Sequence, residues 1–198
     1  MDEHWTTGSP QLDETAKLGP GQVWAVVGSS RSGVTNLVNM IASAAPRPTL
    51  VVNGHHAARP AGLAPLVAFD PGMRLPGLDE ARWVDSTMDR ACLVVLDTLD
   101  EVWPDSLWSA PAHTLVQYVR HLRSLARDTD TTLLITDRRP VRSGPVPLGE
   151  HRTDNALLDV ADVHVQVHSY LAGSWSLTVV GRGLCGWAGR ARAAALEH

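Results

Sequence analysis

Apolar residues in this chain are concentrated in short runs, separated by polar segments or by segments rich in glycine and proline. The clearest runs cover residues 22–27, 49–53, 92–97 and 131–136, and a weaker one covers residues 66–69. Continuous apolar runs of this length are typical of parallel strands that are buried on both faces of a sheet. The pattern therefore predicts a mainly parallel sheet.

Helical segments are predicted between these strands, at residues 34–45, 78–90, 112–127 and 154–160. The third segment repeats its apolar side chains at helical spacing, at Leu115, Val116, Val119, Leu122 and Leu125. Strands that alternate with helices indicate an α/β fold in which helices cover both faces of the sheet.

Two alternating runs near the C-terminus, residues 163–170 and 175–181, flank Ala172-Gly173. Alternation on both sides of a short, glycine-containing turn is typical of a β-hairpin. We therefore expect the parallel sheet to be followed by a C-terminal β-hairpin.

The chain has 198 residues, the size of one domain with a full core. We assign residues 1–195 to a single domain, in which residues 1–21 form a lead-in segment punctuated by glycine and proline. Residues 196–198 resemble the beginning of a vector-encoded affinity tag and are left out of the interpretation.

The composition narrows the classes of function. The formal net charge is −4, so the chain lacks the global basic field that is typical of nucleic-acid-binding proteins. No apolar run approaches the roughly 20 residues that span a bilayer, so no membrane association is expected. Cys92 and Cys185 are the only cysteines and lie far apart in the sequence, which favours free thiols and a cytoplasmic protein.

The segment Gly28–Thr35, here called the glycine loop, has the strongest functional pattern. It reads Gly-Ser-Ser-Arg-Ser-Gly-Val-Thr, follows a predicted strand and opens a predicted helix. This is the spacing of a phosphate-binding P-loop, G-x-x-x-x-G-K-[ST], in which backbone N–H groups and the helix N-terminus bind an anion and Thr35 is placed to hold Mg²⁺. Val34 stands where the motif has lysine. The alternative is a tight strand-to-helix turn that binds nothing.

Polar residues follow three other predicted strands, at 53–56, 97–101 and 137–139. In open parallel sheets, ligands bind beyond the carboxyl ends of the strands. We therefore expect these residues to converge with the glycine loop at one edge of the sheet.

Further motifs occur in a consistent order over roughly residues 6–187. They are Thr7-Gly8 with Leu12-Asp13, Leu18-Gly19-Pro20-Gly21, Gly28–Thr35, Leu93–Asp97, Ala161-Asp162 and Val180-Gly181-Arg182-Gly183. Their order and spacing resemble the RecA-like ATPase domain of replicative DNA helicases of the DnaB type. The resemblance implies a RecA-like fold with ATP and Mg²⁺ bound at the P-loop.

The resemblance also implies roles for single residues. Asp97 would end the Walker B strand and orient Mg²⁺ through water, and the alternative is an aspartate that caps a turn. Arg182 would reach into the nucleotide of a neighbouring subunit, and the alternative is a turn cap in a monomer. Arginines in the loop 137–152 would contact single-stranded DNA, namely Arg138, Arg139 and Arg142. The candidate nucleotide-binding residues are Gly28, Ser29, Ser30, Arg31, Ser32, Gly33, Val34, Thr35 and Asp97.

Several positions depart from the family pattern. Val34 replaces the P-loop lysine, and Asn53-Gly54-His55 stands where the family has a catalytic glutamate. Asp137 falls near a family glutamine, and Val180 falls near the lysine that precedes the interface arginine. Losing one charge-assisted hydrogen bond costs about 1.5–3 kcal/mol, which weakens nucleotide binding about ten- to a hundredfold. Hydrolysis should suffer more, because phosphoryl transfer needs charge around the transferring group and a positioned water.

The leading hypothesis is a degenerate RecA-like P-loop protein with weak or no nucleotide hydrolysis. It would act as a non-catalytic regulatory or scaffold protein that assembles with itself or with a protein partner. One alternative is an active ATP-dependent helicase-like or recombinase-like ATPase. Another is a DNA-binding accessory module that uses the arginine loop to hold single-stranded DNA.

Overall fold

The computed structural model describes residues 4–29, 31–46, 48–53, 68–71, 92–98, 112–139, 157, 160–171, 174–181 and 187–192. Its helices are α1 (Pro10–Thr15), α2 (Val34–Ala44) and α3 (Ala112–Asp128). Its strands are β1 (Val23–Ser29), β2 (Thr49–Asn53), β3 (Ala68–Pro71), β4 (Leu93–Asp97), β5 (Thr132–Arg139), β6 (Val163–Leu171), β7 (Ser174–Gly181) and β8 (Trp187–Arg192).

The described strands form one eight-stranded sheet in the order β3-β2-β4-β5-β1-β6-β7-β8. Every neighbouring pair from β3 to β6 is parallel, and β7 runs antiparallel to both of its neighbours. The predicted α/β class with a mainly parallel sheet is therefore confirmed.

The two faces of the sheet are covered by different helices. Val26 of β1 belongs to the same apolar cluster as Leu37 of α2, whereas Val27 belongs to the cluster that contains Val119 of α3. Successive side chains of a strand point to opposite faces, so α2 and α3 lie on opposite sides. Burial of Tyr118, a residue of α3, raises the pKa of its hydroxyl above the ordinary value. Helices on both faces were predicted, and α2 and α3 confirm this.

β5 is longer than the sequence pattern predicted. The prediction ended this strand at Thr136 and put residues 137–139 in a loop. Parallel pairing with β1 instead continues until Ser29 lies opposite Arg139. The loop assignment is wrong for residues 137–139, because β1 extends past its predicted end and supplies backbone partners for them. Arg142 and the rest of the predicted loop lie outside the described residues.

β6 and β7 form the predicted antiparallel pair, with an irregular register between Val167 and Ser169. The turn residues 172–173 lie outside the described part of the chain. β8 was not predicted, because its sequence Trp-Ala-Gly-Arg-Ala-Arg has mostly small and charged residues of low strand propensity. β8 is a strand because its backbone pairs with β7 in antiparallel fashion, which its own residues do not predict.

Two other predicted elements are described in part. β3 overlaps the predicted strand at 66–69. Leu157 and Val160, from the predicted helix at 154–160, are helical and buried. The predicted helix at 78–90 lies outside the described residues. Within the described residues, no helix is long and apolar enough to span a membrane.

The lead-in segment is fastened by Asp13. Its carboxylate accepts hydrogen bonds from the Thr6 hydroxyl at 2.8 Å, the Thr7 N–H at 2.8 Å and the Thr7 hydroxyl at 2.7 Å. Gly8 has a φ of 80°, and a Cβ at this residue would lie 2.9 Å from Met40 Cγ of α2. The motif Thr-Gly-x-x-x-Leu-Asp therefore has a structural role, since it holds the lead-in segment against α2.

Asp162 holds the amino end of β1. Its Oδ2 accepts a hydrogen bond from the Val23 N–H at 3.0 Å, and its own N–H donates to the Val23 carbonyl at 2.7 Å. Its Oδ1 forms a salt bridge with Arg123 of α3 and lies 3.6 Å from Arg127. The Ala161-Asp162 motif therefore joins α3, β1 and the start of β6.

Candidate phosphate-binding site

The glycine loop joins the carboxyl end of β1 to the first residue of α2. Arg31 and Gly33 have left-handed backbone conformations, with φ of 73° and 94°, and the Ser32 N–H donates to the Ser29 carbonyl at 3.0 Å. Gly33 is the N-cap of α2 and provides no capping side chain. The N–H groups at the start of α2 would therefore meet an anion placed at this end of the helix. Ser30 lies outside the described residues.

The first glycine of the loop is required by close packing. A Cβ on Gly28 would lie 2.4 Å from Ser32 Oγ, 2.7 Å from Val34 Cγ2 and 2.9 Å from the Val167 carbonyl oxygen of β6. Contacts below 3.0 Å essentially do not occur for a real Cβ. The loop therefore folds back onto β1 at Gly28, and only glycine leaves room for it.

Val34 occupies the position of the missing lysine. Its side chain is 3% exposed and belongs to the apolar cluster between α2 and the sheet. One of its methyl groups packs over Gly28, as the distances above require. The position that carries a cation in a P-loop therefore carries part of the core in this chain.

Two buried hydroxyl groups near the carboxyl edge have no hydrogen-bond partner in the described part of the chain. They belong to Ser32 and Thr98. Buried polar groups are nearly always hydrogen-bonded, and leaving one unpaired costs about 1–3 kcal/mol. The Ser32 hydroxyl lies within the glycine loop, where it packs against Gly28.

Asp97, at the end of β4, is 3% exposed and faces α2, because Val95 two residues earlier packs on that side. Its Oδ1 accepts a hydrogen bond from the Thr136 hydroxyl of β5 at 2.9 Å. The Thr136 hydroxyl oxygen in turn accepts the Thr98 N–H at 2.6 Å. Thr98 has a φ of 64°, a conformation that costs a β-branched residue about 1–2 kcal/mol.

Asp137 lies at the same edge, but its side chain is on the opposite face of the sheet. Ile135, two residues earlier in β5, belongs to the cluster on the α3 side. Residues two apart in a strand point to the same face, so the buried Asp137 side chain also lies on the α3 side. The backbone of Asp137 therefore reaches the predicted edge, and its side chain lies on the face opposite to that of Asp97. Thr136 is the β5 residue that contacts Asp97.

The strand registers place several predicted site residues side by side. Asn53 pairs with Asp97 across β2 and β4. Arg138 pairs with Gly28, and Arg139 pairs with Ser29, across β5 and β1. The predicted convergence at the carboxyl edge is thus confirmed for these backbone positions. His55, His56, Arg142 and Arg182 lie outside the described residues, so the predictions for them are not tested.

A magnesium ion bound through nucleotide would need oxygen ligands, which Thr35 and Asp97 can supply. Thr35 lies half-buried in the first turn of α2, and Asp97 faces the same helix. In the ranges that the structure covers, no cluster of three or more His, Cys, Asp or Glu residues could hold a metal ion by itself.

A concave region lies at the amino end of the sheet, opposite to the end that holds the glycine loop. It is a cleft of about 700 Å³ whose lining includes Lys17, Gln22, Arg127, Asp130 and Asp162. Its charged groups have both signs, and Asp162 already takes part in the salt bridge with α3. Because the cleft lies at the other end of the sheet, it is remote from the glycine loop, and it is not one of the predicted sites.

Sequence reasoning missed two residues that shape the site. Thr136 lies inside a buried strand, and only its side-chain hydrogen bond to Asp97 reveals its role. Trp175 of β7 donates its indole N–H to the Gly33 carbonyl at 3.1 Å. No local pattern links Trp175 to the loop, because the two are 142 residues apart in sequence.

Comparison with known proteins does not assign the chain to a family. No protein-family model matches it, and a search of curated proteins finds no similar sequence. The functional interpretation therefore depends on the glycine loop and on the residues that surround it.

Proposed function

We propose that this chain is a RecA-like P-loop domain with weak or no nucleotide hydrolysis, and that it acts as a non-catalytic regulatory or scaffold protein. The fold supports this proposal in one respect. The glycine loop follows β1, which has β5, β4, β2 and β3 on one side and β6 on the other. Later strands of the chain therefore lie on both sides of β1. Open α/β sheets bind their ligands at this kind of position.

The packing of Val34 carries the proposal. Three backbone features of the loop support an anion site. Gly33 is left-handed, it caps α2 without a side-chain hydrogen bond, and Gly28 is packed too closely to carry a side chain. The side chain that would neutralise phosphate charge is instead an apolar group, 3% exposed, in the core. Such a loop can bind phosphate through its N–H groups, but it lacks the cation that phosphoryl transfer requires.

A nucleotide bound here would interact with this chain's own groups in a limited way. Its phosphates would accept hydrogen bonds from the N–H groups at the start of α2 and from the Ser32 hydroxyl. Thr35 and Asp97 would hold Mg²⁺ together with phosphate oxygens, and the ion would neutralise part of the phosphate charge. With no glutamate after β2, the water that attacks the γ-phosphate in an active ATPase would have no positioned base.

A nucleotide that is bound and not hydrolysed can act by stabilising the folded protein. Binding to the native state stabilises it by mass action, with a size set by ligand concentration and affinity. This is the behaviour expected of a regulatory or scaffold protein that holds its ligand while it contacts a partner.

Isothermal titration of ATP with Mg²⁺ into the wild type and two variants tests the proposal. Val34→Lys supplies a cation, because the lysine stem is long enough to carry its ammonium group out of the core, and it should tighten binding by about ten- to a hundredfold. Val34→Met is the matched control, because methionine has a similar length and no charge, and it should give no gain. The proposal fails if Val34→Lys is folded by circular dichroism and binds ATP no better than Val34→Met.

A further inference from the structure

The β6–β7 hairpin contacts both ends of the glycine loop. At the first end, the Val167 carbonyl of β6 lies 2.9 Å from the position that a Cβ on Gly28 would take. At the second end, the Trp175 indole N–H of β7 donates to the Gly33 carbonyl at 3.1 Å. The loop is therefore held between α2 and the hairpin, and it is not supported by its own strand alone.

Trp175 is well placed to fix a distant backbone group. Its side chain is 3% exposed, and Leu177 and Val179 of the same strand are buried in the same cluster. β7 is also hydrogen-bonded on both sides, to β6 and β8. The sheet and the core thus fix the position of the indole N–H. The loop backbone takes the conformation that reaches it.

The Gly33 carbonyl receives two hydrogen bonds, one from the Leu37 N–H at 3.0 Å and one from Trp175. This carbonyl and the Val34 N–H belong to one planar trans peptide unit, in which they point in opposite directions. Fixing the carbonyl toward the helix body therefore turns the Val34 N–H outward, toward an anion at the N-terminus of α2.

We propose that Trp175 is a positioning residue of the glycine loop, which holds the Gly33–Val34 peptide in the orientation that binds phosphate. The inference extends the proposed function, because it names the residue that pre-organises that site. Pre-organisation of this kind raises affinity by removing the cost of ordering the loop when the ligand binds. It also makes the loop conformation depend on the C-terminal hairpin.

Trp175→Phe tests the proposal, with Trp24→Phe as a matched control. Trp24 is also fully buried in the same apolar cluster, and its indole N–H donates to Gln22 Oε1 at 2.9 Å, at the amino end of β1. Both variants lose one buried indole hydrogen bond, but only the bond of Trp175 is made to the loop.

Hydrogen–deuterium exchange is measured first, in protein without nucleotide, on peptides that cover residues 31–38. Trp175→Phe should speed exchange there several-fold relative to Trp24→Phe at equal global stability. Equal exchange in the two variants would overturn the proposal, whether or not the protein binds ATP. If a phenylalanine variant does not fold, Trp175→Tyr and Trp24→Tyr are compared in the same way.

ATP titration gives the second readout. Trp175→Phe should weaken ATP binding about two- to tenfold, the size expected for one neutral hydrogen bond, and Trp24→Phe should leave it unchanged. Equal affinities of the two variants would also overturn the proposal. If Trp175→Phe speeds exchange in the loop but the wild type does not bind ATP, the proposed function is overturned and the positioning role stays in place.

Discussion

At the scale of single residues, the glycine loop combines close packing with an unpaired polar group. Gly28 leaves no space for a side chain, while the buried Ser32 hydroxyl beside it has no hydrogen-bond partner among the described residues. An arrangement selected for stability alone would place an apolar group where Ser32 lies, because an unpaired buried hydroxyl destabilises the fold. The proposed function assigns this hydroxyl a contact with the bound phosphate.

The cost of the unpaired hydroxyl leads to a prediction about stability. Ser32→Ala should leave the free energy of unfolding unchanged or raise it by up to about 1 kcal/mol, because it removes a buried group without a partner. The same variant should bind ATP more weakly than the wild type.

Thr136→Val is the control for this prediction. It also removes a buried hydroxyl, but one that bonds both Asp97 and the Thr98 N–H. It should lower the free energy of unfolding by about 1–3 kcal/mol. Urea denaturation measures both variants, and an equal loss of stability in the two would contradict the interpretation of Ser32.

At the scale of elements, the sheet is held differently at its two edges. The carboxyl edge contains the glycine loop, Asp97 and the strained residue Thr98. The amino edge contains the bonds of Asp162 to β1 and to α3. The edge where the ligand is proposed thus contains the left-handed residues Arg31 and Thr98 and the unpaired hydroxyls of Ser32 and Thr98. The ionic contacts that join α3 to β1 and β6 lie at the other edge.

Two arginines of α3 test the structural role of the amino edge. Arg123 has 11% of its side chain exposed where it pairs with Asp162, whereas Arg127 is 56% exposed and its Nη2 lies 3.6 Å from the same carboxylate oxygen. Arg123→Ala should lower the free energy of unfolding by about 1.5–3 kcal/mol. Arg127→Ala should lower it by less than about 1 kcal/mol, since the pair is exposed and screened. Thermal unfolding followed by circular dichroism measures the difference, and equal losses would argue against the assigned role.

The sequence was informative wherever a signal is local. Continuous apolar runs predicted β1, β2, β4 and most of β5, because a strand buried on both faces is apolar along nearly its whole length. The glycine spacing likewise predicted the turn from β1 into α2. β8 and the end of β5 were missed, since their strand structure depends on pairing with a neighbour rather than on their own residues.

The chemistry of the site was less predictable than the fold. The sequence identified Val34 as a substitution for lysine, but only the packing over Gly28 shows that this side chain is part of the core. The roles of Thr136 and Trp175 depend on contacts between distant segments, at sequence separations of 39 and 142 residues. A single sequence contains no pattern that reports such contacts.

At the scale of the whole molecule, the proposal separates binding from hydrolysis. The described part of the chain has a mainly parallel sheet, a glycine loop and a buried carboxylate on the same face as α2, and Val34 stands where the P-loop motif has lysine. Assembly with a second subunit through Arg182 remains a prediction, as this residue lies outside the described part of the chain. A head-to-tail contact of that kind would produce rings or filaments rather than a two-fold dimer.

Steady-state release of inorganic phosphate from ATP and Mg²⁺ tests the central claim most directly. It is measured with and without single-stranded DNA, at ATP concentrations above the dissociation constant found by titration. Val34 in the core and the absence of a glutamate after β2 predict no release above the uncatalysed background in either condition. A turnover near about 1 s⁻¹, the low end of ordinary enzymes, would contradict the account and identify the chain as a working ATPase.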